Sequence, residues 1–222
     1  MKRIAIHTAA FFAFTIAYAS QCPNGDELLR NNTPLTSVCP NGFDSRNHNG
    51  SIEQSIARER ETVAMIIAAA EQAGIPPDIA LAVSYHESMG FRSCAGSQTG
   101  VLGPMQLTRR TGRGYGYDRD ILEQNIRGGV ATLRDAYRAC GMDYACLASR
   151  YNGSTPAEQA SWTRGVQNAH RQLQNNPALA ASACQGSTQA CDSGPGDFPT
   201  TPVAASPPPP SPSDVIVSTN DI

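Results

Sequence analysis

The sequence contains little charge and few aromatic residues. Charged residues make up 16% of the 222 positions, aromatic residues make up 6%, and the chain has one tryptophan. The formal net charge is only −2, which gives no electrostatic basis for binding nucleic acid or a charged membrane surface. We therefore predict no nucleic-acid partner.

Patterns typical of metal sites and of β-strands are also absent from the sequence. It contains no CxxC pair, no HExxH and no cluster of histidine and cysteine, so we predict no metal site and no cofactor. No segment alternates convincingly between apolar and polar residues, and no internal repeat of useful length occurs. These absences leave a mainly α fold as the prediction.

An apolar run lies at the amino terminus. Residues 1–19 carry a Lys-Arg pair at positions 2 and 3 and end in Ala-Tyr-Ala, which is the small-x-small pattern of a secretory signal cleaved after Ala19. The run is too short to favour a stable membrane span, although an uncleaved anchor is the alternative. We expect a periplasmic or secreted protein that has no integral membrane span after signal cleavage.

All seven cysteines follow the predicted cleavage site. Export to an oxidising compartment makes disulfides the first interpretation, and an odd number leaves one thiol over. Spacing alone suggests three pairs, which are guesses: Cys22 with Cys39, Cys140 with Cys146, and Cys184 with Cys191. Cys94 is then the remaining residue, which we interpret as a buried thiol without a reactive role.

Composition divides the mature chain into three parts. Residues 20–50 are rich in Asn, Gly and Pro, and form an N-terminal arm that only a disulfide would hold. Residues 187–222 are rich in Ser, Thr, Pro and Gly, so they cannot bury enough surface to offset the entropy of ordering them. We predict a disordered Pro-rich C-terminal tail and one compact domain at 51–178.

Helix signals are clear within this domain. Ser51 and Gln54 have the spacing of a capping box, and apolar residues recur at helical intervals until Gly74 supplies a stop. A second helix begins at Pro76-Pro77-Asp78, because proline suits the first helical turn. Three further helices are predicted at 119–138, 143–151 and 157–174.

A single carboxylate closes the second predicted helix. Glu87 lies one turn beyond Val83 on the apolar face that also carries Ile79 and Ala82. Burying a carboxylate costs several kcal/mol unless it is paired or protonated. The negative end of the helix dipole would also raise its pKa, so Glu87 is a candidate proton donor.

Four motifs follow one another in a recognisable order: Glu87-Ser88, the segment 100–107 (GVLGPMQL), Asn125-Ile126 with Gly129, and the segment 150–153 (RYNG). Over approximately residues 55–174 they resemble the soluble lytic transglycosylases of the lysozyme superfamily. The resemblance implies a lysozyme-like single catalytic domain. Pro104 stands where the family usually has leucine, and Ser149-Arg150 replace the usual small-residue approach to Tyr151.

The short exported catalytic domain, with cysteines near the Tyr-Asn motif, further resembles the small members of the VirB1 and IagB type. These accompany type IV and type III secretion systems and pilus machines. The resemblance therefore implies two kinds of partner: the glycan strands of peptidoglycan, and components of a secretion, conjugation or pilus apparatus.

The resemblance also implies a reaction at Glu87. A glutamic acid in a partly apolar pocket stays protonated near neutral pH and can protonate the leaving oxygen of a MurNAc-GlcNAc β-1,4 bond. No acidic residue lies between Glu87 and Asp118, so the second carboxylate of most glycosidases is missing from the next loop. In the family, the N-acetyl group of the substrate stabilises the cationic centre. The same glutamate then acts as base on the muramic acid 6-hydroxyl, and a 1,6-anhydro sugar results.

Five more residues are predicted to bind substrate, and most have a purely structural alternative. Ser88 orients Glu87 or the N-acetyl group, or it caps the helix end. Met105 and Gln106 line the glycan groove, or Met105 fills a gap in the core. Tyr151, beside Asn152, positions the acetamido group or Glu87, or it is a buried aromatic whose hydroxyl is satisfied.

Two other features are interpreted as incidental. His48, His86 and His170 have no predicted catalytic role. The basic run at 109–113 (RRTGR) is interpreted as a solvated turn, with a cationic rim for an acidic polymer as the alternative.

Three alternative functions remain open at this point. A goose-type lysozyme-like muramidase would cut the same bond by hydrolysis. A non-catalytic peptidoglycan-binding assembly protein would keep the groove, although loss of Glu87 would have been its signal. A tail-driven interaction protein would use residues 187–222 to recruit secretion components.

Overall fold

The computed structural model describes residues 22–45, 50–152 and 155–185. Its ten α-helices are α1 (Pro23–Leu28), α2 (Leu35–Val38), α3 (Ile52–Arg58), α4 (Arg60–Ala73), α5 (Pro77–Glu87), α6 (Arg109–Gly114), α7 (Leu122–Cys140), α8 (Tyr144–Tyr151), α9 (Pro156–Asn175) and α10 (Pro177–Cys184). In these ranges β-structure is limited to isolated bridges. The mainly α, lysozyme-like prediction is confirmed. None of the helices in the described ranges is long and apolar enough to span a membrane.

The first predicted helix is two helices. The capping box is confirmed, because the Ser51 side chain accepts from the Gln54 N–H and the Gln54 side chain accepts from the Ser51 N–H. The chain then leaves the helical conformation at Glu59, and α4 ends as predicted at Gly74, with a left-handed φ of 70°. Ile56 and Val63, on either side of the break, are both buried. Because both helices pack against the same core, the apolar residues keep a helical spacing across the break, and the sequence pattern does not show it.

Helix α4 lies at the centre of the molecule. Its residues 62–70 are all buried, and the small side chains among them allow close approach of α1. A Cβ atom placed on Gly25 would lie 2.1 Å from the carbonyl oxygen of Ala64, so only glycine fits there. The N-terminal segment is therefore packed onto the domain, whereas we expected only a disulfide to hold it.

The disulfides differ from two of the three predicted pairs. Cys140–Cys146 is confirmed, but Cys22 pairs with Cys184 and Cys39 pairs with Cys94. The predicted pairs Cys22–Cys39 and Cys184–Cys191 and the free Cys94 are wrong. These bonds join residues 162 and 55 positions apart. The first forms because α1 and α10 both pack on α4. The spacing of cysteines in the sequence does not predict contacts between distant helices. Cys191 lies outside the described residues, as does His48.

The later helices follow the predictions closely, with two additions. Helices α5, α7, α8 and α9 correspond to the predicted segments, and α10 follows them. The basic run was predicted to be a solvated turn, but it forms α6, capped by the Thr108 side chain, which accepts from the Thr111 N–H. The three arginines of the run are exposed to solvent as expected, and Arg109 pairs with Asp120 at 2.8 Å.

Helices α5 and α9 run antiparallel and determine where the site forms. Near the start of α5, the Asp78 carboxylate lies 2.8 Å from Nε2 of the buried His170 on α9. The hydrogen bond with His170 lowers the pKa of Asp78, and the Tyr144 hydroxyl of α8 lies 2.7 Å from His170 Nδ1. His170 thus holds three helices together at one end of α5. Glu87 lies at the other end.

Candidate active site

Glu87 is the last residue of α5 and is partly exposed. Its Oε1 accepts a hydrogen bond of 2.6 Å from the Trp162 indole N–H of α9. Burial of the carboxyl raises the pKa of Glu87 to about 7, and the Trp162 hydrogen bond acts against this rise. We predicted a raised pKa from the helix dipole, but its main cause is desolvation. Near neutral pH both protonation states are populated, so the group can give and take a proton.

Trp162 is a site residue that was not predicted from the sequence. The apolar period placed Trp162 only on the buried face of the predicted helix at 157–174, and the residue is indeed 2% exposed. Its ring lies 6.0 Å from the Tyr151 ring and 6.1 Å from the His86 ring, measured between centroids. A buried tryptophan normally needs an acceptor for its N–H, and this rule was the available signal.

Tyr151 ends α8 and lies beside the same indole ring. Its hydroxyl donates a 3.0 Å hydrogen bond to the carbonyl oxygen of Met105. Burial raises the pKa of Tyr151 well above its usual value, and the charge of Glu87 raises it further. Tyr151 is therefore neutral at physiological pH, and it connects α8 to the loop that precedes α6. The structure brings Tyr151 and Glu87 together around Trp162.

Asn125 of α7 organises this loop, which spans residues 95–107. The Asn125 side chain is fully buried. Its Nδ2 donates to the carbonyl oxygens of Leu102 at 2.8 Å and Arg119 at 3.0 Å, and its Oδ1 accepts from the Met105 N–H at 3.4 Å. This motif residue therefore satisfies backbone groups that have no helix to bond them.

The side chains of Met105 and Gln106 are engaged within the fold. Met105 is 1% exposed, and a Cβ atom on Gly129 would lie 2.2 Å from its Cβ. The Gln106 amide donates to the carbonyl oxygens of Gly103 at 2.8 Å and Ala95 at 3.2 Å. Met105 thus occupies the core, in agreement with its structural alternative. Contact of either residue with a glycan remains a prediction.

Ser88 and Asn152 flank the site at two helix ends. The buried Ser88 hydroxyl donates to the Ser84 carbonyl at 2.7 Å, which fits the helix-end alternative. Ser84 in turn donates to the carbonyl of Pro104 at 2.9 Å, so the loop is bonded to α5. Asn152 is the partly exposed C-cap of α8. Their predicted roles in binding substrate remain predictions.

A buried arginine holds the outer part of the loop. The Arg119 side chain is 1% exposed, and its guanidinium donates to the carbonyl oxygens of Gln98 and Gly100. It also lies 3.3 Å from the Asp120 carboxylate. The sequence gives no sign of this role, because a single arginine between two aspartates is typical of an exposed turn.

Two cavities occur away from Glu87. One, of about 400 Å³, is lined by residues near the Cys39–Cys94 disulfide, and the other, of about 420 Å³, is lined by residues around α6. None of the predicted site residues lines either cavity. Across the described ranges, no three His, Cys, Asp or Glu side chains are grouped so that they could hold a metal ion.

A comparison with protein families supplies independent information. A family model described as the Transglycosylase SLT domain matches residues 64–175, about half of the chain. The chain matches no curated protein and no solved structure. The matched range contains Glu87, the loop at 95–107, Tyr151 and Trp162, which are the parts that the fold brings together.

Proposed function

Since this chain belongs to the family of transglycosylase SLT domains, we propose that Glu87 is the acid and base of its reaction. Members of the family are peptidoglycan lytic transglycosylases, lyases that cleave glycosidic bonds, and this protein is such an enzyme. Its substrate class is peptidoglycan. Cleavage of the MurNAc-GlcNAc β-1,4 bond with formation of a 1,6-anhydro end is the specific reaction that we propose.

The observation that carries the assignment is the environment of the Glu87 carboxyl. With a pKa of about 7, the group is protonated often enough to donate to the glycosidic oxygen, whose bond to the MurNAc anomeric carbon then breaks. The N-acetyl oxygen of the substrate stabilises the resulting cationic centre. The Glu87 carboxylate then removes the proton of the 6-hydroxyl, and that oxygen bonds to the anomeric carbon.

A carboxyl group with this pKa suits both halves of the reaction. A group with the ordinary pKa of 4.5 would be almost wholly ionised near neutral pH and therefore a poor acid. A fully desolvated carboxyl would hold its proton and would be a poor base. The Trp162 hydrogen bond offsets part of the burial, which supports one group in both roles.

The remaining predicted residues form the surroundings of this carboxyl. We propose that Tyr151 and Asn152 position the acetamido group, because Tyr151 lies beside Trp162 and Asn152 is partly exposed at the same helix end. Ser88, Met105 and Gln106 would then form the wall of the groove. Ser88 and Gln106 are hydrogen-bonded within α5 and the loop, and Ser88 and Met105 are buried, which supports a structural role behind the groove.

We propose that the enzyme is exported and acts locally on the cell wall. Peptidoglycan lies outside the cytoplasm, which supports a periplasmic or extracellular site of action. The sequence of residues 1–19 supports export by a cleaved signal peptide. The Pro-rich segment 187–222 supports tethering to a larger assembly, because an extended tail raises local concentration.

A secretion, conjugation or pilus apparatus is the assembly that we propose it serves. The small size of the exported catalytic domain supports this role. If so, cells that produce only the Glu87→Gln form should assemble fewer such structures than cells with the wild-type protein. Equal numbers in the two strains would contradict the role without affecting the enzymatic assignment.

The Glu87→Gln variant tests the chemistry directly. Because the replacement is nearly isosteric but cannot exchange a proton, release of soluble fragments from purified sacculi should fall by about 1,000-fold or more. Glu61→Gln, which changes an exposed residue on α4, should retain full activity. Substantial activity in a folded Glu87→Gln protein would contradict the assignment.

The masses of the released products distinguish the alternative functions. Anhydro ends are one water lighter than hydrolytic ends, so their detection in the wild-type digest would support the transglycosylase reaction. Hydrolytic ends would favour the goose-type muramidase. Binding to sacculi without any release would favour the non-catalytic assembly protein.

A further inference from the structure

We propose that Trp162 is a positioning residue for Glu87, and that its ring is held in place by His86 and Tyr151. This inference rests on the proposed role of Glu87 as acid and base. It adds a residue on α9 that does not contact the substrate, since the Trp162 side chain is 2% exposed. The indole acts through the carboxyl that it binds.

The hydrogen bond fixes where the carboxyl can be. The distance of 2.6 Å from Trp162 Nε1 to Glu87 Oε1 is short for an N–H donor. A glutamate side chain has three rotatable bonds, and Glu87 lies at the free end of α5. Without the indole, burial alone would not select one orientation. A bond to one oxygen leaves the other free to face the glycosidic oxygen.

The indole itself contacts two other aromatic rings. The His86 ring meets the Trp162 ring edge to face, with an angle of 83° between their planes, and the Tyr151 ring lies beside it with a tilt of 33°. Both contacts are within the range in which aromatic pairs attract. Since χ rotation of Trp162 would break both contacts, its N–H has a fixed direction.

Gly165 provides the space for His86. A Cβ atom at Gly165, on α9, would lie only 2.2 Å from Nδ1 of His86. Any larger residue there would force the imidazole to move, and the edge-to-face contact with Trp162 would change. The close approach of His86 explains why a glycine occurs in the interior of a 20-residue helix, where glycine lowers helix stability by about 1 kcal/mol relative to alanine.

The groups around Glu87 stay uncharged near neutral pH. Burial lowers the pKa of His86 and raises that of Tyr151, so the imidazole and the phenol are both neutral there. The buried residues of α4, which packs on α5, are apolar except for Thr62. Burial favours the protonated form of Glu87, and the hydrogen bond from Trp162 favours the ionised form.

Trp162→Phe is the decisive variant, because it keeps an aromatic ring but removes the N–H. We expect kcat on sacculi to fall by about 10- to 100-fold, as for a catalytic group held less well, with KM changed less than about twofold. The alkaline limb of the pH-rate profile should move to higher pH, since the pKa of Glu87 rises when the donor is lost. Unchanged kcat and pH profile would overturn the proposal, and so would an increase in KM alone.

Leu173→Ala is the matched control on the same helix. Leu173 is also 2% exposed but lies three turns from Trp162, so its truncation should lower thermal stability and leave kcat and the pH profile unchanged. If it reproduces the kinetic effect of Trp162→Phe, then a general loosening of α9 explains both, and the positioning role is wrong.

Gly165→Ala tests the support from His86. We expect an intermediate fall in kcat with KM unchanged, because the displaced imidazole shifts the indole. A folded Gly165→Ala protein with wild-type kcat would exclude His86 from the proposal.

Titration of Glu87 by carboxyl NMR needs no substrate, and it separates this proposal from the proposed function. If the wild-type protein released nothing from sacculi, the proposed function would fail. The titration would still show whether Trp162 donates a hydrogen bond to Glu87. A higher pKa of Glu87 in Trp162→Phe than in the wild type supports the indole contact. Equal values contradict it.

Discussion

At the scale of the residue, the proposed catalytic function of Glu87 has a cost in stability. Its pKa rises from 4.5 in the unfolded chain to about 7 in the folded protein, so the folded state binds this proton more tightly. The stabilisation is complete below about pH 4.5 and is lost as pH rises through about 7. The difference of about 2.5 pKa units corresponds to about 3 kcal/mol.

Glu87→Gln should therefore change the pH dependence of stability as well as activity. Because glutamine does not titrate, the variant should gain up to about 3 kcal/mol relative to the wild type between pH 4 and pH 8. Urea unfolding of both proteins at several pH values measures this gain. Glu61→Gln, at an exposed position, should show none. Parallel curves for Glu87→Gln and the wild type would show that Glu87 does not titrate differently on folding.

The residue scale also shows what the sequence could and could not predict. Glu87 could be found, because a carboxylate at the end of an apolar helix is unusual and its motif is specific. The need of a buried Trp162 for an acceptor could be predicted, but not that Glu87 is this acceptor, because the partners lie 75 positions apart on helices whose relative register depends on packing. The pairing of Asp78 with His170 depends on the same register. For this reason His170 was interpreted as incidental.

At the scale of the element, helices with a clear apolar period were predictable and the shortest helices were not. Helices α5, α7, α8 and α9 have clear apolar periods and most have recognisable first turns, so their positions agree with the predictions. Helices α1 and α2, with six and four residues, are too short for a period to be visible. They depend on tertiary contacts, as at Gly25.

The loop at 95–107 is held partly by its own backbone hydrogen bonds, such as those between Leu102 and Leu107, and partly by side chains from other elements. Isolated bridges join Gly96 to Leu102 and Leu102 to Leu107, and side chains from elsewhere satisfy other backbone groups. Asn125 and Arg119 supply most of these bonds. The loop carries the carbonyl that Tyr151 binds, so its conformation determines where Tyr151 lies.

Asn125→Ala should consequently affect both stability and activity. The substitution leaves the buried backbone groups that Asn125 bonds without their partner, at a cost of about 3 kcal/mol in the free energy of unfolding. We also expect lower activity on sacculi at temperatures where the variant is folded, because the loop no longer fixes Tyr151. Thermal unfolding and sacculus release measure the two effects.

Asn168→Ala provides the control for this loop variant. Asn168 lies on the exposed face of α9, and its bond to Arg171 at 3.0 Å is at the surface, so its loss should change little. If Asn125→Ala also unfolds like the wild type, the loop does not depend on the asparagine.

At the scale of the whole molecule, two disulfides connect distant parts of the chain. Cys22–Cys184 joins α10 to the residue that caps α1, so both ends of the described chain meet beside α4. Cys39–Cys94 fastens the segment after α2 to the chain that follows Glu87. Spacing could predict only the local Cys140–Cys146 bond, since the other two follow from the completed fold.

This arrangement gives a sharp test of the boundary between the domain and the tail. A chain ending at Gln185 keeps α10 and the Cys22–Cys184 bond but lacks Cys191 and the Pro-rich segment. We expect its stability and its activity on sacculi to equal those of the full chain, because the removed residues have few apolar side chains to bury. Replacing Cys22 and Cys184 by serine in the shortened chain should lower stability by up to about 5 kcal/mol, since the bond closes a very long loop. If removal of the tail alone lowers either stability or activity, the tail packs on the domain and the proposed boundary is wrong.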